Sequence, residues 1–188
     1  MTAPFDTLVA SRDGQSLTIA ARILTRLGLP GEGARRLGAA PPVIDPVRPV
    51  LLVAAVRYGS HLPEARAWLK AFAALPRRPP LALVSVNLTA RKPARQTAGE
   101  STYLRKTIAG FGLEPVAARA VAGRLDYPRY RWRDRQILRL VMWMSGGPTD
   151  GTSVIEYTDW ADVDRFADTL PAAFDLTLPA RARERGGP

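Results

Sequence analysis

Short apolar runs alternate along the chain with segments of helical periodicity. The apolar runs predict strands, at residues 5–10, 34–37, 49–56, 80–87, 114–123 and 153–157. The periodic segments predict helices, at residues 16–27, 62–75, 100–112 and 159–174. Asp159 is the expected N-cap of the last helix. This alternation predicts an α/β fold, a doubly wound parallel sheet with helices on both faces.

In such sheets, ligands bind outside the carboxyl ends of the strands, where the strand order reverses. The loops that follow the predicted strands are therefore the places to look for a site. They are residues 10–16, 57–61, 87–97 and 124–152. We expect one domain over residues 1–178, with a charged tail at 179–188.

The first loop, "SRDGQS", lies between the first predicted strand and the first predicted helix. Its backbone N–H groups and the helix N-terminus could form an anion site, in which Gly14 allows close approach and Ser11 and Ser16 add hydroxyl donors. Taken alone, the loop is better explained as an ordinary helix start, with Asp13 or Ser16 as the N-cap.

The next two loops carry groups suited to a flat ligand. Tyr58 can stack on an aromatic system, and Gly59 leaves room for one. Asn87 can bond the edge of a heterocycle, while Arg91 and Lys92 add positive charge. An exposed turn and a solvated basic pair are the structural alternatives.

The composition excludes several chemistries. The absence of cysteine excludes disulfides, thiolate nucleophiles and cysteine-ligated metals. The single histidine, His61, excludes a multi-histidine metal site and makes a Ser-His-Asp triad improbable. No apolar run reaches the roughly 18 residues of a spanning helix, and we expect no signal peptide.

Positive charge dominates the chain and is concentrated in one segment. The net charge of +10 rests on 24 Arg and 3 Lys, which indicates an anionic partner. Between residues 127 and 139 five arginines face one aspartate, with three aromatic residues among them. Three interpretations compete: a nucleic-acid patch, an interfacial membrane helix, and an amphipathic helix packed on its own sheet.

Six motifs in order, "SRDGQS", "VRYGSH", "SVNLTARKP", "YPRYRWRDRQI", "MSGG" and "EYTDW", give the chain a family resemblance. The chain resembles the menaquinone-dependent protoporphyrinogen IX dehydrogenases, flavodoxin-like FMN proteins of bacterial haem synthesis. The similarity runs from about residue 8 to residue 166. It implies a flavodoxin-like five-stranded parallel sheet with a long basic insertion, about residues 124–152, in the last strand.

The resemblance also implies the site residues. The phosphate loop would be Ser11, Arg12, Asp13, Gly14, Gln15 and Ser16. The second flavin loop would be Arg57, Tyr58 and Gly59. The third would be Ser85, Val86, Asn87, Leu88, Thr89 and Ala90. Substrate or membrane contacts would come from Tyr127, Arg129, Arg131, Trp132, Arg133, Arg135 and Arg139.

The implied reaction is the oxidation of protoporphyrinogen IX to protoporphyrin IX through FMN, with menaquinone or ubiquinone as acceptor. The substrate loses six electrons and six protons, so several two-electron cycles of FMN are needed. The arginines of the insertion suit its propionates, and no catalytic acid or base stands out. We expect a cytoplasmic protein held at an anionic inner-membrane surface, with no nucleic-acid partner and with oligomerisation left open.

Two other enzyme or carrier functions remain at this point. One is a general FMN-dependent NAD(P)H:quinone oxidoreductase, and the other is a flavodoxin-type electron carrier, although such carriers are usually acidic. A nucleic-acid-binding module built on the arginine-rich segment is a third alternative.

Overall fold

The structure is a computed structural model that describes residues 3–129, 132–145 and 148–176. The predicted tail at 179–188 lies outside these residues. The strands are β1 (Asp6–Ala10), β2 (Ala34–Arg36), β3 (Val50–Arg57), β4 (Ser60–His61), β5 (Leu81–Val86), β6 (Ala117–Val121), β7 (Arg124–Asp126) and β8 (Val154–Glu156). The helices are α1 (Gln15–Arg26), α2 (Pro63–Ala73), α3 (Thr102–Phe111), α4 (Trp132–Ser145) and α5 (Trp160–Ala173).

Five parallel strands form the main sheet, in the order β2-β1-β3-β5-β6. The predicted α/β architecture is therefore confirmed. The chain passes from β1 to β2 on one side and to β3 on the other, so the strand order reverses between β1 and β3. The short strand β4 pairs antiparallel with the end of β3 and extends this sheet.

A hydrophobic layer covers each face of the sheet. Helices α1 and α5 pack on one face, where Ile19, Ile23 and Phe166 are buried against Val53 and Val84. Two ion pairs join these helices at their surface, Arg22 with Asp164 and Arg26 with Asp168.

Helices α2 and α3 cover the other face. Trp68 and Leu104 are fully buried there against Leu52 and Leu83, and the Trp68 ring stacks on Phe72 with centroids 5.1 Å apart. The central strands β3 and β5 are therefore buried on both sides, which explains why their sequences are continuous apolar runs.

The sequence analysis expected the inserted segment to interrupt the last parallel strand. In the structure it does not. Strand β6 is complete, and the chain then enters β7, which pairs antiparallel with β8 and not with the main sheet. Helix α4 lies between β7 and β8 in sequence. The insertion is thus carried by a separate two-stranded ladder beyond the end of β6.

His61, the single histidine of the chain, is a core residue of this fold. It is 3% exposed, and its ring nitrogens lie 2.9 Å from Thr107 Oγ1 and 3.0 Å from Ser85 Oγ. Burial lowers the pKa of His61 from 6.5 to about 4, because the charged imidazolium loses its hydration. The ring is therefore neutral at physiological pH.

This burial predicts an acid-sensitive fold. Above pH 6.5 the ring is neutral in both states, and as the pH falls from 6.5 to about 4 only the unfolded chain takes up the proton. We expect His61 to remove about 3 kcal/mol of stability across that window. Urea unfolding of the parent and of His61→Gln at a series of pH values measures the difference.

The difference between the two proteins isolates His61 from the carboxylates. Hydrogen bonds from Ser153 and Thr152 lower the pKa of Asp150 from 3.8 to about 2. The stability that Asp150 contributes is therefore lost at a lower pH than the range over which His61 acts. Parallel stability curves for the parent and His61→Gln between pH 6.5 and 4 would contradict the prediction.

Candidate active site

A row of small residues crosses four strands just below the carboxyl edge of the sheet. Ala10, Ala54, Ser85 and Ala120 are register partners in β1, β3, β5 and β6, and all four are fully buried. The loops that leave these strands therefore lie at the same edge of the sheet, and β3 continues three residues beyond this row, to Arg57. This geometry brings three of the four loops chosen from the sequence, and the start of the fourth, to one edge.

A cavity of about 510 Å³ lies at this edge, beside the reversal point between β1 and β3. Most of the predicted cofactor residues line it: Ser11 to Ser16, Arg57 to Gly59, and Val86 to Thr89. Ser85 and Ala90 are fully buried and lie behind the lining.

At the α1 end of the cavity the chain forms an open helix start. Gly14 is the N-cap, in the left-handed region at φ 96°, and a Cβ placed there would meet no atom within 4 Å. Its N–H donates to Ser11 Oγ at 3.1 Å. Neither Asp13 nor Ser16 is the N-cap, so that expectation was wrong.

Ser16 is the residue of this loop that best suits a bound anion. It is 1% exposed, and within the described part of the chain its buried hydroxyl has no hydrogen-bond partner. Such groups are rare, because an unmade hydrogen bond costs about 1–3 kcal/mol. The hydroxyl lies in the first turn of α1, where backbone N–H groups have no acceptor inside the helix. An anion would satisfy both.

The second loop is a two-residue turn between β3 and β4. Tyr58 and Gly59 both have positive φ, 51° and 81°, as a tight β-hairpin requires. Glycine tolerates this conformation, but tyrosine does so only with strain. Tyr58, in this strained conformation, lines the cavity and is 66% exposed, so the turn presents an aromatic ring there.

The third loop is organised by Asn87. Its Oδ1 accepts the Ala90 N–H at 3.1 Å and the Thr89 hydroxyl at 2.6 Å, so it caps the 3-10 turn Leu88–Arg91. Its Nδ2 donates to Ser85 at 3.2–3.3 Å. The side chain is therefore committed to its own loop, and the Asn87 N–H donates to the Val121 carbonyl at 3.0 Å, so the predicted bond to a heterocycle edge would have to come from the neighbouring backbone of the loop.

Charged groups of both signs line the cavity. The Arg57 guanidinium pairs with Asp13 and joins the first loop to the second, and Arg124 lies 3.3 Å from Asp126. The exposed Arg12 has no acidic partner among the described residues. The cavity can therefore accept a negatively charged ligand without losing an internal ion pair.

The sequence analysis missed several lining residues: Thr18, Ala55, Val56, Tyr103, Gly123, Arg124, Asp126 and Ile137. Ala55 and Val56 lie at the end of a strand that the sequence predicted, and Gly123 to Asp126 follow the last parallel strand. Their positions next to the loops could therefore have identified them. Tyr103 and Ile137 lie on helices, and no local pattern marked them.

The insertion contributes to the site through α4. Ile137 lines the cavity, and Trp132, Leu140 and Trp143 on the same helix are also exposed, with the four side chains 47–72% exposed. Arg133 on this helix is also exposed. In the described part of α4, apolar side chains thus face solvent, which disfavours an amphipathic helix that is fully packed on its own sheet.

Other predicted contacts of the insertion have different positions. Tyr127 is fully buried with Leu125, and its hydroxyl donates to the Pro148 carbonyl at 2.7 Å, so it cannot reach a membrane; burial also raises its pKa. Arg139 donates to the Thr149 carbonyl at 2.7 Å inside the insertion.

The remaining arginine predictions are less fully described. Arg135 is half-buried, and its Nε has no partner within the described ranges. Arg131 and the side chain of Arg129 lie outside the described residues.

The order of the strands and the position of the cavity define a flavodoxin-like α/β protein with a ligand site at its topological switch point. Residues 7–152 match the flavodoxin domain family, a range that includes every residue lining the cavity. The chain belongs to the flavodoxin domain family and, within it, with the quinone-dependent protoporphyrinogen IX dehydrogenases.

The assignment to the protoporphyrinogen IX dehydrogenases rests on similarity to curated relatives. The protoporphyrinogen IX dehydrogenase [quinone] of Escherichia coli (strain K12) is 37% identical over 163 residues, 85% of this chain and 90% of its own length. That of Leishmania major is 40% identical over 134 residues, 71% of this chain and 58% of its own. No solved structure matches the chain. The resemblance drawn from the sequence motifs is confirmed.

The strained turn at Tyr58 generates a testable prediction. Tyr58→Gly and Tyr58→Ala both remove the ring, but only glycine relieves the positive φ. We expect Tyr58→Gly to be more stable than Tyr58→Ala by about 1 kcal/mol. Urea unfolding of the two variants measures this difference, and equal stabilities would show that the backbone there is relaxed.

Proposed function

We propose that this protein oxidises protoporphyrinogen IX to protoporphyrin IX, with FMN in the cavity and a membrane quinone as acceptor. The observation that carries the proposal is the identity with protoporphyrinogen IX dehydrogenases over 163 residues, 85% of the chain. The family match spans the whole cavity, so the similarity includes the site and not only the scaffold.

The chemistry of the cavity supports FMN as the ligand. The buried hydroxyl of Ser16, the open backbone at Gly14 and the N-terminus of α1 suit a phosphate. Arg12 adds a positive charge at the same end. Tyr58 and the turn Leu88–Arg91 suit the faces and edge of a flat ring.

Bound FMN would supply two-electron redox chemistry. The chain's part is to hold and orient the reactants and to limit solvent access. Tyr58 and Ile137 line the cavity with exposed side chains, and Arg124, which also pairs with Asp126, adds a cation to the same lining. His61 does not line the cavity and cannot serve there as a general base.

Quinones reside in bilayers, so the acceptor requires contact with a membrane. Among residues 3–129, 132–145 and 148–176, no helix is both long and apolar enough to cross one. The exposed tryptophans of α4, with Arg133 beside them, instead suit a helix that lies in the membrane interface. This position would bring the mouth of the cavity close to the quinone, which can be menaquinone or ubiquinone.

The first test is the cofactor and the turnover. We expect purified protein to be yellow, to release one FMN per chain, and to oxidise protoporphyrinogen IX with a water-soluble quinone analogue. A general NAD(P)H:quinone oxidoreductase would instead be reduced rapidly by NADH in stopped flow. Reduction by NADH without porphyrinogen oxidation would overturn the proposal.

Ser16→Ala tests the phosphate end in the same assay. We expect it to raise the FMN dissociation constant about tenfold, the loss of a charge-assisted hydrogen bond, and to leave riboflavin binding unchanged. Fluorescence titration with both flavins measures this. Ser153→Ala, outside the cavity, is the control. If Ser16→Ala weakened the binding of riboflavin and of FMN equally, Ser16 would not contact the phosphate.

Co-sedimentation with anionic liposomes tests the membrane contact. We expect Arg133→Gln to lower binding about fivefold, since one cation near an anionic surface contributes about 1 kcal/mol. Trp143→Ala should lower binding as well, and only the Arg133 effect should shrink as salt rises. Arg36→Gln, an exposed arginine on β2, removes the same charge elsewhere. Matching losses in Arg133→Gln and Arg36→Gln would mean that net charge alone governs binding.

A further inference from the structure

A chain of polar side chains runs through the protein to the cavity. It begins at the half-buried Thr107 on α3, passes through the buried His61 on β4 and Ser85 near the end of β5, and reaches the buried Asn87 and the half-buried Thr89. Each link is 2.6–3.2 Å long. Thr89 and Asn87 line the cavity, whereas His61 does not.

The direction of the hydrogen bonds along this chain can be assigned from its Asn87 end. The Ala90 N–H can only donate, so the atom of Asn87 that accepts it is the oxygen and the amide nitrogen points to Ser85. Ser85 Oγ accepts from that nitrogen, and His61 Nε2 is the one possible acceptor among its hydrogen-bond partners in the described residues, so we assign the Ser85 proton to the bond with His61. A neutral imidazole that accepts at Nε2 carries its proton on Nδ1 and donates it to Thr107 Oγ1.

We propose that His61 is a positioning residue for the flavin, which acts through Ser85 and Asn87 to hold the turn Leu88–Arg91 against the isoalloxazine ring. The inference rests on the proposed FMN site. Asn87 is the cap of that turn, and its amide nitrogen is anchored by Ser85, so the Ser85–His61 bond sets the angle of the cap. Losing the anchor loosens the Leu88 and Thr89 backbone that lines the cavity.

Two amide substitutions separate the positioning role from general stability. The polar atoms of Asn lie as far along the side chain as Nδ1 of His, and those of Gln as far as Nε2. His61→Asn therefore keeps the contact to Thr107 and loses that to Ser85, whereas His61→Gln does the reverse. Both variants lose one buried hydrogen bond, so a purely structural role predicts the same effect for both.

The readout is the dissociation constant for FMN and for riboflavin, measured by fluorescence titration of the apoprotein. We expect His61→Asn to raise both constants about fivefold, the factor of one hydrogen bond, and His61→Gln to stay within about twofold of the parent. Riboflavin should respond as FMN does, because the affected loop faces the ring. Thr107→Val, which removes only the far end of the chain, should bind like the parent.

Ser85→Ala provides a second route if His61→Asn fails to fold, since it breaks the same link, and it should raise both constants about fivefold. Equal constants for His61→Asn and His61→Gln would overturn the inference, as would parent-like binding by Ser85→Ala. A parent protein that binds neither flavin would overturn the proposed cofactor instead, and the inference with it.

Discussion

The parallel pairing of β1, β3, β5 and β6 is the constraint on which the rest of the structure depends. Its register aligns Ala10, Ala54, Ser85 and Ala120 in one buried row, so the loops beyond them leave the sheet on one edge. Parallel strands must be joined by long crossovers, which places a helix after each loop and the N-terminus of α1 at the cavity. A slip of one residue in any strand would move its loop and reverse its buried faces.

Side chains hold the three loops to one another and to the insertion. Arg57 pairs with Asp13 across the first two loops, and Gln15 donates to Glu156 at 2.9 Å, which ties the first loop to the ladder that carries the insertion. Asn87 caps the third loop from within. Prearranged loops lose little conformational freedom on binding, which favours affinity. What remains unsatisfied in this network, the Ser16 hydroxyl, is where the ligand is needed.

Local patterns were sufficient for most of the scaffold. The apolar runs of β3 and β5 and the Asp159 N-cap of α5 follow from residue type and spacing alone, and the structure confirms them. Side-chain roles inside the loops were harder to predict. The side-chain amide of an asparagine after a strand can hydrogen-bond either a ligand or the backbone of its own loop. The sequence does not distinguish the two, whereas in the structure the Ala90 N–H lies close enough to donate to the Asn87 side chain. By residue type, Asp13 suited the N-cap of α1 as well as Ser16 did, but in the structure its carboxylate pairs with Arg57 of the second loop.

The sequence by itself determined the class of fold, the loops that meet at the site and, through six motifs, the family. These depend on short-range periodicity and on ordered residue identities, both of which are written along the chain. Tertiary structure alone decided that Tyr127 is buried, that the insertion leaves the sheet after β6, and that His61 lies behind the third loop and outside the cavity. Burial and hydrogen-bond partners arise from residues far apart in sequence. They can be known only once the strands have paired and the helices have packed over them.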